Sequence, residues 1–251
     1  MKLLTLARDL KRRKAREKHS LFVAEGVRAV EELLRAGLTL RGVIVAPQLV
    51  DAPRGAALRS AIAATPVEVL EVSEKDFRSA AETESPQGVL AVGEIPAFSL
   101  QSLAPLATTR LLLLDGVQDP GNVGTILRTA AALGASATVA LPGTVDLWNP
   151  KVIRSSMGAQ FRHPSFHATT EEALSFLADA GIELWGAEAG GEPLKSRDAP
   201  PKLAVVVGNE GAGLSAPVRS AAAKLVALPI SAGVESLNVA VAAGIILYEL
   251  R

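Results

Sequence analysis

The chain has no cysteine, and only three histidines stand among its 251 residues, His19, His163 and His167. The first absence excludes disulfides, thiol nucleophiles and cysteine-built zinc sites. The second leaves little for an imidazole site, and no metal is expected. Aromatic residues make up 4%, too few for the stacking platforms that grip single-stranded nucleic acid. An excess of charge of either sign is also missing, since 26 lysines and arginines balance 26 aspartates and glutamates. Long hydrophobic runs are missing too. The longest near-apolar stretch, residues 239–250, spans 12 residues, against the roughly 20 that a membrane helix needs. The opening MKLLTLARDLKRRK places its charges after a short apolar patch, the reverse of a signal peptide. A soluble, cytoplasmic protein without a membrane partner is expected.

What is present is a globular composition, 49% hydrophobic and 21% charged, with enough apolar residues for one large domain or two ordinary ones. The zero net charge hides an asymmetry. Residues 8–18 carry seven basic side chains, with Arg12, Arg13 and Lys14 at the centre, against Asp9 and Glu17, so this segment is +5 and the remainder −5. A solvated helix face is the plainer reading of such a run. The functional reading is a phosphate-binding arm, because phosphate contacts need clustered positive charge and no base readout.

Alternating patterns continue after that arm. Residues 1–18 read as a polar helix. Strand-like runs at 21–24 (LFVA), 43–46 (VIVA), 67–72 and 89–92 alternate with helical patterns at 27–36, 56–64 and after Ser73. This defines a small α/β domain over 1–94. Residues 95–109, with two prolines and little periodicity, read as a linker. A second domain over 110–251 alternates again. Its strands fall at 110–114 (RLLLL), 137–141, 183–186, 203–207 (LAVVV) and 225–228, and its helices at 122–133, 152–158, 170–180, 214–223 and 236–250. Continuous apolar strands interleaved with helices indicate a parallel sheet covered on both faces. Ligands bind such sheets beyond the carboxyl ends of the strands, which directs attention to three loops.

The first loop, after RLLLL, is DGVQDPGNVG, opening a helix that holds Asn122 at its start and Arg128 among apolar neighbours. The second, after LAVVV, is GNEGAG, three glycines in six residues with Glu210 between them. Its spacing matches neither a dinucleotide fingerprint nor a P-loop. The third, LPISAGVESLN, runs into a nearly all-apolar helix, with Ser236 as a candidate cap and Asn238 as a polar amide that needs a partner. That helix reads as buried all round, in part against another subunit. Turn chemistry alone explains each loop taken singly. Asn149–Arg154 (NPKVIR) adds Lys151 and Arg154, read as phosphate contacts near the same end of the sheet, against the plainer reading of a solvated helix start.

Taken together, the strings DPGNVGTILRTAAALGA, VVVGNEGAGLS and LPISAGVESLNVAVAAGIILYE resemble, in order and spacing, the three motifs of the SpoU/TrmH family of RNA ribose 2′-O-methyltransferases. NPKVIRSSMGAQFRHP is similar to that family as well, and FVAEGVRAVEELLRAG resembles its small substrate-binding domain. The resemblance covers roughly residues 5–251. It implies an N-terminal α/β domain like ribosomal protein L30e, and a parallel α/β catalytic domain with a C-terminal trefoil knot. It also implies a homodimer formed through that domain, and S-adenosylmethionine as cofactor. Gly208, Leu228, Ile230 and Leu237 match the positions whose backbone holds the cofactor, with Asn209 and Gly211 in the same loop. Arg128 matches the position beside the ribose 2′-hydroxyl, and Asn122, Glu210, Ser236 and Asn238 match the other active-site positions. The implied reaction is 2′-O-methylation of structured RNA, 23S-type ribosomal RNA in preference to transfer RNA. Two rivals remain at this point: an RNA-binding protein without catalysis, which does not need Arg128, Asn122 and Asn238 together, and an enzyme acting on a small nucleotide, which leaves the basic arm unexplained.

Overall fold

A computed structural model describes residues 2–103, 107–195, 199–231 and 233–251. The chain divides into two compact units. One comprises Met1–Ala97 with Trp148–Phe161, the other Phe98–Leu147 with Arg162–Arg251.

The first unit begins with two helices, α1 (Leu3–Asp9) and α2 (Arg13–His19), where the sequence pattern suggested one. The break is held by a charge turned inward. Arg16 is 3% exposed, and its Nη1 donates to the carbonyls of Leu10 and Lys11, both at 2.7 Å. Next come β1 (Leu21–Glu25), α3 (Val27–Ala36), β2 (Leu40–Val45), α4 (Pro53–Ala63), β3 (Val69–Glu71), α5 (Glu74–Ala80) and β4 (Val89–Glu94). The four strands form a mixed sheet in the order β1-β4-β2-β3. Leu3, Ala7 and Leu10, on one face of the arm, pack with Ile44, Phe77 and Leu90. The basic run is therefore divided. Lys11 Nζ donates to the carbonyls of Ser79 and Ala81 at the end of α5, and Arg8 Nε donates to Ser79 Oγ. Arg12, Arg13 and Lys14 face solvent, the first two paired with Asp9 and Glu17.

The second unit contains β5 (Thr109–Asp115), α6 (Pro120–Ala132) and β6 (Ala137–Ala140). The chain then supplies the first unit with α7 (Pro150–Ser156), before β7 (Ser165–His167), α8 (Thr170–Asp179), β8 (Glu183–Pro193), β9 (Lys202–Gly208), α9 (Ala216–Ala221), β10 (Lys224–Ala227) and α10 (Val239–Glu249). Six strands pair in the order β10-β8-β9-β5-β6-β7, every pair parallel. The apolar runs explain this: β5 and β9 bury Leu111–Leu114 and Leu203–Val207 on both faces. The short edge strand β7 was not legible as a strand, since three residues carry no period.

Strand order reverses between β5 and β9. From β5 the chain steps outward to β6 and β7, then returns to the other side. The loops after β5 and β9 therefore leave the same end of adjacent strands, with Asp115 paired to Gly208, and this is the switch point where open sheets hold ligands. At the opposite end, Arg110 ties three segments. Its Nε donates to the carbonyl of Leu250, and its Nη1 to those of Pro200 and Pro201.

Within this chain α10 is buried along one side: Val239, Ala240, Ala243, Ile246 and Leu247 are buried, while Val241, Ile245 and Tyr248 are 50%, 40% and 51% exposed. Their i, i+4, i+7 spacing makes one uncovered stripe. No helix among the described residues is long and apolar enough to cross a membrane.

His163 yields a pH prediction. Its Nε2 lies 2.8 Å from Thr138 Oγ1 in the core, and burial pushes its pKa down to about 4. The unfolded chain, with an ordinary histidine near 6.5, therefore binds the extra proton first. This contribution to stability is complete above about pH 6.5 and is lost as pH falls toward 4, on the order of 3 kcal/mol in all. Urea unfolding between pH 4 and 7 is expected to show that loss, and His163→Gln to flatten it.

Candidate active site

The loop after β5 is held from both ends. Thr144 Oγ1 accepts from Gly116 N at 3.1 Å and donates to the Leu114 carbonyl at 2.8 Å, and Val145 N donates to the Val117 carbonyl. Asp119 then caps α6, accepting from Asn122 N at 2.8 Å. Pro120 follows at the first helical position, where a missing N–H costs nothing. Asn122 is thus not the cap. Its backbone is satisfied by Asp119, and its side-chain amide is left for other work.

The loop after β9 folds back on itself. Asn209 and Gly213 exchange two backbone hydrogen bonds, and Asn209 Oδ1 accepts from Gly211 N and Ala212 N, each at 2.9 Å. Asn209 Nδ2 donates to the Gly116 carbonyl at 2.8 Å, locking this loop to the first. Asp115 Oδ2, at the end of β5, accepts from Ser215 N at 2.6 Å. Gly208 sits under the returning chain, and a Cβ there would fall on the Gly213 carbonyl, so only glycine fits.

The third loop ends at Asn238, which caps α10. Its Oδ1 accepts from Ala240 N and Val241 N, so the cap is Asn238 and not Ser236. With Oδ1 committed to the helix, Nδ2 must face the other way, and it donates to Asn122 Oδ1 at 3.0 Å. That in turn orients the Asn122 amide, whose Nδ2 donates to Glu210 Oε1 at 3.0 Å. The orphan N–H groups of a helix start thereby set, through two amides, where a carboxylate stands.

Beside this relay opens a cleft of about 540 Å³. It is walled by Ala187, Glu188 and Ala189, where β8 leaves its pairing with β9, by residues 207–211 and 213, by Leu228 and Ile230 after β10, and by Ser236, Leu237 and Asn238. Gly208, Asn209, Glu210, Gly211, Leu228, Ile230, Ser236, Leu237 and Asn238, all named from sequence, line it, and Asn122 joins at the rim through its two hydrogen bonds. Arg128 does not line it. This residue lies two turns along α6, exposed. Lys151 and Arg154 stand on α7 in the first unit, and not on the parallel sheet: Lys151 is exposed and Arg154 half-buried. Among the described residues no group of three or more histidines and acids could hold a metal.

Sequence reasoning missed Asp115, Asp119, Thr144 and Glu188. Asp119 had a signal, an aspartate directly before proline at a helix start. The others act across loops far apart in the chain and had none.

A glycine-rich, mostly apolar cleft at the switch point of a parallel sheet, with amides and a carboxylate at its rim, defines the class as an α/β protein with a ligand-sized cleft beside fixed polar groups. Comparison with known proteins makes the class specific. Residues 109–248 match the SpoU rRNA Methylase family and residues 5–91 an MRM3-like substrate binding domain; the chain belongs to the SpoU rRNA methylase family. It is 36% identical over 246 residues to the 23S rRNA (guanosine(2553)-2′-O)-methyltransferase RlmP of Bacillus subtilis, covering 97% of this chain and 94% of that protein. Among solved structures, the SpoU methyltransferase AviRb of Streptomyces viridochromogenes with AdoMet superposes with a TM-score of 0.89 at 27% identity, covering 100% and 97% of the two chains. An AdoMet-bound rRNA methyltransferase from Sinorhizobium meliloti gives 0.84 at 31% identity, covering 100% and 94%.

The cap and the relay at Asn238 are separable. Asn238→Ala is expected to lower unfolding free energy by about 1 kcal/mol through the lost cap. Asn238→Asp is expected to restore it, because the carboxylate still accepts from the helix while no longer donating to Asn122. Chemical denaturation of the two variants measures this; equal losses would show that Asn238 holds α10 by something other than its side-chain oxygen.

Proposed function

We propose that this protein transfers a methyl group from S-adenosylmethionine to a ribose 2′-hydroxyl of structured RNA, with 23S-type ribosomal RNA as substrate. The observation that carries the reading is the Asn238–Asn122–Glu210 relay. It joins all three motif loops at the mouth of a nucleoside-sized cleft, an arrangement that a purely RNA-binding protein has no use for. Family membership and the B. subtilis relative support ribosomal over transfer RNA.

The residues present fit the cofactor. Gly208 lets the chain close over the strand end, and Leu228, Ile230 and Leu237 offer an apolar wall with backbone groups for an adenine edge. When bound, S-adenosylmethionine supplies a methyl on a sulfonium, already a good leaving group. What the chain must supply is alignment and help for a weakly acidic hydroxyl. Glu210, Asn122 and Asn238 form a fixed polar rim for the ribose, with the Ser236 hydroxyl beside them. A guanidinium offers donors and no acceptor, so the role of Arg128 is to orient the hydroxyl and an RNA phosphate and to stabilise the charge developing on oxygen.

Arg128 lies outside the cleft of its own chain, and the stripe Val241, Ile245 and Tyr248 on α10 is bare. Both features support a homodimer formed through the second unit, which the trefoil knot implied by the family resemblance would accompany. Substrate binding belongs to residues 1–94 and methyl transfer to 110–251, except that residues 148–161 fold as part of the first unit. Arg12, Arg13 and Lys14 on the arm, with Lys151 and Arg154, contact phosphate and give RNA binding that weakens steeply with salt.

Labelled S-adenosylmethionine offered with unmodified ribosomal RNA and unmodified transfer RNA tests this directly. Label on ribosomal RNA at one alkali-resistant linkage is expected. Label on transfer RNA would overturn the substrate, and absence of cofactor binding would overturn the reaction. Arg128→Ala is expected to abolish transfer while leaving the cofactor dissociation constant within about twofold; full activity in that variant would remove Arg128 from the site.

A further inference from the structure

Arg110 stands second in β5, at the end of the sheet away from the cleft. It is partly buried, and burial pushes its pKa down. Its acceptors among the described residues are all backbone carbonyls. Nε donates to Leu250 at 3.0 Å, and Nη1 donates to Pro200 and Pro201 at 2.8 and 2.7 Å and to Thr109 at 3.3 Å. Desolvating a charge with no carboxylate among its acceptors is a costly way to make bonds that a neutral amide could make. What a guanidinium adds is a rigid fork whose donors reach two segments at once, and a positive charge. Both are used at Leu250, the residue that closes α10. Carbonyls at a helix end lack partners and carry the negative end of its dipole. α10 has no basic residue in its own last turn, and the Arg251 guanidinium beyond it lies over the Tyr248 ring. Arg110 supplies from β5 what the helix lacks.

The other end of α10 is at the cleft. Its 11 residues span about 16 Å along the axis. At the start, Asn238 caps the first turn and begins the relay through Asn122 to Glu210. Val239, Ala242 and Ile246 then line the cleft itself. Gly244 lies against Thr129 of α6, where a Cβ would come within 3.2 Å of the threonine methyl. Apolar contact of this kind is non-directional. The directed side-chain fixings of α10 among the described residues are those at its two ends, Asn238 and Arg110. Both relay bonds are 3.0 Å long, so a slide of about 1 Å at Asn238 takes the first beyond hydrogen-bond range. Misplacements of that size can cost about 100-fold in rate, even when they begin far from the chemistry.

We propose that Arg110 is a remote positioning residue for methyl transfer: by holding the far end of α10 it keeps Asn238, and through it the relay, in register with the cleft. This rests on the proposed function of the cleft. Two variants separate the parts of the side chain. Arg110→Met keeps the apolar stem and removes every donor, whereas Arg110→Lys keeps a charge and a donor and loses the fork. Both are compared with the wild type, as full-length protein, by segment-resolved hydrogen exchange and by rates of methyl transfer from S-adenosylmethionine to unmodified 23S ribosomal RNA. In Arg110→Met, amides of residues 242–250 are expected to exchange about tenfold faster while those of α8 and β8 do not change. In the same variant kcat is expected to fall about 10- to 100-fold with KM for RNA within about twofold. Arg110→Lys is expected to recover kcat to within about fivefold of the wild type, since it still offers the Leu250 carbonyl a charged donor. Wild-type kcat in Arg110→Met overturns the proposal. So does faster exchange spread evenly over the second unit, which would make Arg110 a residue of general stability, and so does a lysine variant no better than methionine. If the wild type itself transfers no methyl group, the functional reading fails and takes this proposal with it.

Discussion

Everything chemical in this protein depends on one pairing, that of β5 with β9. It sets Asp115 against Gly208 across the middle of a six-stranded parallel sheet, at the place where the chain reverses its direction of travel. Two loops separated by about ninety residues in sequence must then share the same few ångströms. They do so through directed hydrogen bonds, Asn209 to Gly116 and Ser215 to Asp115. A loop fixed by directional bonds holds its own side chains at fixed angles, which apolar contacts alone would not ensure.

From that junction the functional geometry propagates by exclusion. Asp119 satisfies the start of α6, so Asn122 is free. Two N–H groups at the start of α10 claim Asn238 Oδ1, so its amide nitrogen points outward. Each commitment removes an alternative from the next residue, and the outcome is a carboxylate, Glu210, at a defined spot on the rim of the cleft.

Charge is distributed by a similar logic. A run of seven basic residues would repel itself as a single helix. The fold splits it, turning Arg16 inward on two carbonyls and spending Lys11 and Arg8 on α5. What remains outward is a smaller patch, Arg12, Arg13, Lys14 and Lys18, the two arginines already beside an acid. Surface pairs of this kind contribute little to stability, so a phosphate can compete for the arginines at small cost.

The sequence by itself determined the alternation of strands and helices, the two-part organisation, the parallel sheet and the loops that matter. Those features are written in local periodicity: LLLL and AVVV are buried on both faces wherever they fall, and glycines cluster where backbone must turn tightly. The three motif strings also placed Gly208, Glu210, Leu228 and Asn238 at one site through family resemblance. Local pattern could not say which oxygen caps α10, that residues 148–161 would join the first unit, that α10 would leave Val241, Ile245 and Tyr248 bare, or that Arg128 would stand outside the cleft. Nor could it show Asp115, Thr144 or Glu188 as parts of the site. Each of these depends on which groups from distant segments meet, and a hydrogen bond has no partner until the chain has folded; only the tertiary structure decides who that partner is.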